Sequence, residues 1–217
     1  MLTEDYIIRM INLAIAALLR IVGLRKSGAY EEALGWIDLT FEQLLGLRAS
    51  MVKALDDERL YFLLTRNDQL DARRLELVAD LFREEARIFA LQNRTAESQA
   101  GYARALKYSL DVWFDGSAEN PQALQDKIEE TLQALNLETL DAGTLWPLAG
   151  YLEGSGAYSR AEAVLNILAG RSETSEAIQP ELTAFYERML EKPVADLEHG
   201  GLSIAAVKAS LEQRKHL

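Results

Sequence analysis

Carboxylate side chains are the first candidates for chemistry in this 217-residue chain. Asp56, Asp57 and Glu58 form a run of three acids, a residue type that binds divalent cations through its oxygens. A metal-binding helix would need a further acid one turn onward, where Leu60 stands. We therefore interpret the run as a solvated loop or the start of a helix.

The two histidines do not form a convincing metal site either. His199 lies near Asp196 in a glycine-rich turn, His216 is the only other histidine, and the sequence has no cysteine. A zinc site needs three or four such ligands. The sequence also lacks Glu-x-x-His pairs, phosphate-binding loops, dinucleotide fingerprints and hydrolase motifs. We expect no metal, no cofactor and no catalytic residue, so that the protein is not an enzyme.

Four charged residues between positions 80 and 87 share one face of a predicted helix. Asp80, Arg83, Glu84 and Arg87 are spaced by three and four residues. With Trp113, near the end of the next helix, they are predicted to line a groove that binds a partner. The alternative is an exposed face of self-satisfied ion pairs, each worth only about 0.2–1 kcal/mol.

The composition predicts an all-α fold. Leu, Ala and Glu are abundant, whereas 4 prolines and 13 glycines leave few turn residues for strands. The 49% of hydrophobic residues suffice for a core. We expect nine or ten helices in a single domain, residues 1–217, with a weak joint near residues 116–120.

Hydrophobic periodicity and capping residues place the helices. The predicted helices run from the N-cap Thr3 to Lys26 and then over 30–47, 71–92, 95–114, 121–134, 144–153, 157–169, from about 173 or 180 to 191, and, after a glycine hinge, over 203–215. Residues 49–71 are predicted to be irregular, with one broken or short helix.

The first predicted helix is more apolar than one buried face requires. Its most apolar stretch, Met10 to Leu24, is interrupted by Asn12 and Arg20 and is shorter than the roughly 20 residues of a membrane span. The chain also opens with acids rather than with the basic start of a signal peptide. We expect no transmembrane segment, no export signal and a cytoplasmic location.

Two interpretations of this apolar helix stay open. The helix is either buried beneath later helices or forms the contact of a homodimer. The predicted dimer contact comprises Ile8, Met10, Ile11, Leu13, Ala14 and Ala17.

The net charge narrows the choice of partner. The chain carries a formal charge of −11, which opposes contact with the phosphate backbone of nucleic acids. We therefore expect an unidentified protein or peptide as partner, and no nucleic acid.

Two similar phrases, SGAYEEAL from Ser27 and SGAYSRAEA from Ser155, suggest an internal repeat. Each places an aromatic residue two positions after a glycine and an alanine three positions further on: Gly28, Tyr30 and Ala33, then Gly156, Tyr158 and Ala161. This spacing resembles the tetratricopeptide repeat. The resemblance implies a right-handed superhelix of stacked antiparallel helix pairs whose concave surface binds a peptide or protein.

The whole chain is also similar to an uncharacterised bacterial family of small helical proteins. The similarity is carried by the opening EDYIIRMI, by GAYEEALGWIDLTFEQLLGL and by the tail ADLEHGGLSIAAVKASLEQR. It implies no activity. The leading hypothesis is therefore a non-catalytic scaffold that binds a protein or peptide. The alternatives are a structural homodimer, and an enzyme or small-molecule binder without a readable signature.

Overall fold

The computed structural model describes residues 2–66 and 69–214. Within these ranges the chain forms twelve α-helices: α1 (Leu2–Lys26), α2 (Tyr30–Leu45), α3 (Ala49–Ala54), α4 (Asp57–Leu64), α5 (Ala72–Leu91), α6 (Thr95–Asp115), α7 (Pro121–Ala134), α8 (Ala142–Gly154), α9 (Tyr158–Ala169), α10 (Ser175–Leu190), α11 (Val194–His199) and α12 (Ile204–Arg214). A single 3-10 turn spans Leu137–Thr139. Two-residue strands, β1 (Thr65–Arg66) and β2 (Gln69–Leu70), pair antiparallel in the register Thr65 to Leu70.

The all-helical class is confirmed, but the described residues hold more helices than the nine or ten expected. The segment predicted to be irregular contains both α3 and α4. Asp56 is the reason, because its carboxylate accepts the backbone N–H of Arg59 at 2.9 Å and so begins a new helix. The other helix beyond those predicted is α11, which begins after Pro193.

The chain divides into two compact units, residues 1–135 and 136–217. In unit 1, α1 pairs with α2 and α5 pairs with α6, and α7 packs on α6. The connections within both pairs are three residues long, which makes each pair antiparallel. The central helix is α5, which contacts α1, α2, α4 and α6 and is buried around most of its circumference.

Helices α5 and α6 cross at very short range. A Cβ atom added to Gly101 of α6 would lie 2.9 Å from the Cβ of Ala86 and 3.3 Å from the carbonyl oxygen of Phe82. Both atoms belong to α5 and cannot move without shifting its backbone. The crossing therefore requires a glycine at this position.

Unit 2 is built on the pair α8 and α9, with α10 packed between α9 and α12. Its core contains large side chains such as Tyr151 and Phe185. The Gly200 carbonyl accepts the Ser159 backbone N–H at 2.9 Å, so the turn after α11 closes onto the start of α9. A side chain at Gly200 would overlap Tyr158.

Both SGAY phrases form the turn of a helix pair. Gly28 and Gly156 each adopt φ of +80°, the left-handed conformation that glycine tolerates best. Tyr30 and Tyr158 then begin α2 and α9. The interpretation of the phrases as turns between helices is therefore confirmed.

The close crossing can be tested at its glycine. We expect Gly101→Ala to lower the free energy of unfolding by about 1–3 kcal/mol, because the new methyl group overlaps Ala86. Gly35→Ala is the matched control, since a Cβ there meets nothing within 4 Å in the middle of α2. It should raise the free energy of unfolding by about 0.5–1 kcal/mol.

Denaturant unfolding of both variants measures the difference. Adding Ala86→Gly to Gly101→Ala should recover part of the lost stability. If the two Gly→Ala variants changed stability by the same amount, the close crossing would be wrong.

Candidate functional site

One side of α1 is buried in unit 1. Met10, Ile11, Ala14, Ala17 and Ile21 are at most 9% exposed, and the helix packs on α2 and α5. These residues recur at intervals of three and four, which places them along one side of the helix.

The other side of α1 is apolar and exposed. Ile8 (51% exposed), Ile15 (39%) and Leu19 (72%) share this side. We call these three residues the exposed α1 face. Tyr6 (66%) and Leu13 (54%) are also exposed but lie about 150° around the helix from them. In the described ranges α1 contributes five of the eleven exposed large hydrophobic residues. Such a concentration on one helix is typical of an interaction surface.

The predicted dimer contact is wrong for four of its six residues. Met10, Ile11, Ala14 and Ala17 are covered by the protein's own helices and have no surface to offer a partner. Ile8 and Leu13 are exposed. The apolar arc is wide because α1 has a buried side and an exposed side, and four of the predicted residues lie on the buried one.

A groove runs beside the exposed α1 face. It has a volume of about 260 Å³. Its apolar wall is formed by Ile15, Leu18 and Leu19 of α1 with Leu77 of α5, and its polar wall by Arg73, Glu76, Asp80, Glu119 and Lys127. We call it the α1–α5 groove.

Ion pairs hold the polar wall in place. Lys127 Nζ of α7 lies 2.9 Å from Glu76 Oε1 and 2.7 Å from Asp80 Oδ2. Arg73 Nη1 lies 3.1 Å from Glu119 Oε1. These charges therefore compensate one another within unit 1, and the apolar wall is the part of the groove that gains most from a partner.

The rest of the predicted charged groove is closed. Arg83 is 3% exposed. Its guanidinium pairs with Asp80 and donates hydrogen bonds to Thr131 Oγ1 at 3.0 Å and Ser109 Oγ at 2.9 Å. Because α6 and α7 supply these acceptors, Arg83 lies between helices and is not available to a partner, contrary to the sequence prediction.

Glu84 and Arg87 are engaged in the same way. Glu84 is 4% exposed and accepts a hydrogen bond from Arg25 Nε of α1 at 2.7 Å. Arg87 pairs with Glu84 and with Glu130 of α7. The prediction of an open binding face is therefore also wrong for Glu84. Of the predicted groove residues, Asp80 alone lines the α1–α5 groove, and Trp113, partly exposed near the end of α6, is not among its lining residues.

A second, smaller pocket of about 160 Å³ lies between α3, α5 and α6. Lys53 Nζ lies 2.5 Å from Glu85 Oε1 and over the ring of Phe89. Burial raises the pKa of the Glu85 carboxyl above its usual range, and the Lys53 ammonium acts in the opposite direction. At the rim, Glu97 pairs with Arg94, which lowers the pKa of that carboxyl.

Hydrogen bonds between two tyrosines and two partly buried carboxylates attach α4 to α6. Tyr61 donates a hydrogen bond to Asp111, and Tyr108 donates one to Asp57 Oδ1 at 3.2 Å. Burial raises the pKa of Tyr61, and the neighbouring Asp111 carboxylate raises it further. Burial also raises the pKa of Asp111. The carboxylate of Asp57 pairs with Lys107, so it contributes to packing between helices.

The described part of the chain contains no cluster of three or more His, Cys, Asp or Glu side chains arranged to hold a metal ion. Asp56 caps α4 as described above, and His199 ends α11.

One described helical segment, Tyr6–Lys26, has the length and hydropathy of a membrane span. Only 22% of its most apolar window is buried in the protein. Composition alone does not distinguish such a span from an apolar helix of a folded domain.

The fold and these surfaces define an all-helical protein built from antiparallel helix pairs, with an apolar surface on its first helix. A family model described as "Family of unknown function (DUF6483)" matches residues 1–217, and the chain belongs to this family. Comparisons with curated proteins and with solved structures found no match.

The buried charges of α5 can be tested by removing one of them. Arg83→Ala should lower the free energy of unfolding by about 3–5 kcal/mol, because it removes one partner of a buried ion pair and leaves two buried hydroxyl groups without their donor. Arg59→Ala is the control, since the Arg59 side chain is 74% exposed and pairs with Asp56 at 3.5 Å. That loss should stay below about 1 kcal/mol. Urea unfolding compares the two, and similar losses would contradict the buried network.

Glu85 should make stability depend on pH. Its pKa is raised in the folded protein from the ordinary value of 4.5, mainly by burial. Between these two pKa values the native state binds more protons than the unfolded state, so stability falls as pH rises. The free energy of unfolding of the native protein, relative to Glu85→Gln, should therefore decrease as pH rises above about 4.5 and through the raised pKa.

Glu97→Gln is the control of opposite sign. Because the pKa of Glu97 is lowered by Arg94, the native protein should gain stability relative to this variant as pH rises through the lowered pKa towards 4.5. Unfolding curves at several pH values measure both differences. Slopes of the same sign would contradict the buried position of Glu85.

Proposed function

We propose that the protein is a non-catalytic scaffold that binds a protein partner through the exposed α1 face and the α1–α5 groove. The observation that carries the proposal is the exposure of Ile8, Ile15 and Leu19 along one helix beside a groove with an apolar wall. Removing apolar surface from water contributes about 25 cal/mol per Å². A partner that covers these side chains gains this free energy.

The shape of the surface favours a helical partner. An amphipathic helix lays its apolar side into a groove through residues spaced by three, four and seven positions. Ile8, Ile15 and Leu19 present the same spacing on α1. The ion pairs of the opposite wall, such as Lys127 with Asp80, would form a polar rim around the contact.

The proposal includes a tetratricopeptide-like arrangement of the helix pairs. It is supported by the glycine turns before α2 and α9 and by the small residues at the α5–α6 crossing. In such an arrangement the first helix of each pair faces the concave surface. Helices α1 and α5, whose side chains line the groove, are the first helices of their pairs.

In this proposal α1 stays packed in unit 1 and does not cross a membrane. Extraction of α1 would separate Met10 and Ile21 from the core and break the ion pair between Arg25 and Glu84. Each fully buried apolar side chain of this size contributes about 1.5–3 kcal/mol. We accordingly propose a cytoplasmic protein.

Photo-crosslinking in cells tests the proposal. A photoreactive p-benzoylphenylalanine at Leu19 should become linked to a protein, because Leu19 is the most exposed residue of the exposed α1 face. The same amino acid at Phe62 is the matched control, since Phe62 is 81% exposed but lies on α4. Links to lipid alone, or identical products from both positions, would rule out the proposed surface.

A further inference from the structure

We infer that the pocket between α3, α5 and α6 binds a small organic acid, a monocarboxylate with an apolar body, whose carboxylate pairs with the guanidinium of Arg104. We call this pocket the α3–α5–α6 pocket. It shares no lining residue with the α1–α5 groove, so this inference does not depend on the proposed function. Three observations carry it: the apolar part of the lining, one guanidinium without a counter-charge, and the volume.

The apolar part of the lining is formed by Phe89 of α5 and by Ala100 and Gly101 of α6. All three belong to the α5–α6 pair, which crosses closely at Gly101. An apolar ligand body that covers them leaves water, and each Å² of apolar surface removed in this way contributes about 25 cal/mol. These residues supply affinity for an apolar body, and the charge of the ligand has to be selected by other residues.

The charges of the lining leave one cation over. Glu85 pairs with Lys53, and Glu97 pairs with Arg94 at the rim. Arg104 also lines the pocket, and no carboxylate in the described ranges forms an ion pair with it. The pocket therefore carries a net positive charge, which favours an anionic ligand.

The guanidinium of Arg104 has only neutral partners. Its Nη2 donates a hydrogen bond to the backbone carbonyl of Lys53, and its Cζ lies 5.4 Å from the centre of the Phe82 ring. Its Nη1 is buried, and no group in the described part of the chain accepts a hydrogen bond from it. A buried donor without an acceptor is unfavourable. A carboxylate that pairs with this guanidinium supplies both the acceptor and the counter-charge.

A single negative charge fits this pocket better than a phosphate group. A phosphate group brings up to about two negative charges and three acceptor oxygens, whereas Nη2 of Arg104 is already engaged. The carboxylates of Glu85 and Glu97 line the same pocket and would repel a second negative charge. We therefore assign the pocket to a monocarboxylate.

The volume limits the size of the apolar body. The pocket measures about 160 Å³, and a cavity of roughly 150 Å³ holds a benzene molecule. The apolar body is therefore about as large as one aromatic ring. The net charge of −11 is spread over the whole chain, and at about 0.15 M salt exposed charges more than about 8 Å away are largely screened.

Titration of the ¹⁵N-labelled full chain by NMR tests the site, with benzoate as the probe and benzyl alcohol as its neutral counterpart. At neutral pH and about 0.15 M salt, both should shift the backbone amide signals of Phe89 and Gly101 until the pocket is saturated. Benzoate should bind at least about tenfold more tightly, because a hydrogen bond between charged groups is stronger than one to a neutral group. Inorganic phosphate should leave these signals unchanged. Equal affinities for the two probes, saturation by phosphate, or no saturable shift would overturn the inference.

Removing the guanidinium tests the origin of this preference. Arg104→Met keeps an apolar stem in the pocket. It should weaken benzoate binding at least about tenfold and leave the affinity for benzyl alcohol unchanged, because only the carboxylate pairs with Arg104. Arg59→Met is the matched control, since Arg59 lies on α4 and is not part of the lining. If Arg104→Met kept the preference for benzoate, the assigned pairing would be wrong.

A second variant tests the pocket without touching a charge. Ala100 is exposed on α6 and lines the pocket, so Ala100→Leu should fold normally and place a larger side chain where the ligand body lies. It should weaken the binding of benzoate and of benzyl alcohol alike, at least about tenfold. Ala96→Leu, one turn earlier at an exposed position outside the lining, should leave both affinities unchanged. Unchanged binding in Ala100→Leu, or equal losses in the two leucine variants, would overturn this pocket as the site.

Discussion

The charges buried along α5 are the constraint on which unit 1 depends. Arg83 and Glu84 are both less than 5% exposed, and a charge without a partner in such a position is strongly unfavourable. Their partners come from three other helices: Arg25 of α1, Ser109 of α6 and Thr131 of α7. Only an arrangement that brings these helices together around α5 satisfies the charges, so the polar contacts specify the packing along with the apolar core.

The same constraint creates the surface that we assign to binding. The pairing of Arg25 with Glu84 holds the C-terminal end of α1 against α5, and its buried side then packs on α2 and α5. The opposite side, with Ile8 and Leu19, has to face outward. On α5, the contacts of Arg87 with Glu130 close one end of the charged face, while the end near Leu77 stays open as the α1–α5 groove.

Local signals in the sequence were sufficient for most of the fold. Gly28 and Gly156 mark turns because a left-handed residue is needed there, whatever surrounds it. The burial of Arg83 could not be read in the same way, because spacings of three and four residues are shared by a solvated charged face and a buried network. Arg83 is buried because it contacts residues such as Thr131, which lies 48 positions away in the sequence. The periodicity of α1 likewise showed a wide apolar arc, and only the positions of α2 and α5 decide which side they cover.

Membership in a family of unknown function leaves the surface chemistry as the guide to what this chain does. Polar residues at positions 8 and 19 would cost unit 1 little, because these side chains already face water at 51% and 72% exposure. The folding of one copy therefore gives little reason for an isoleucine and a leucine there. The same holds for Gly23, which weakens the helix although a Cβ atom there would meet nothing within 4 Å. A net charge of −11 favours solubility, and the exposed α1 face is best explained by a contact outside the single copy.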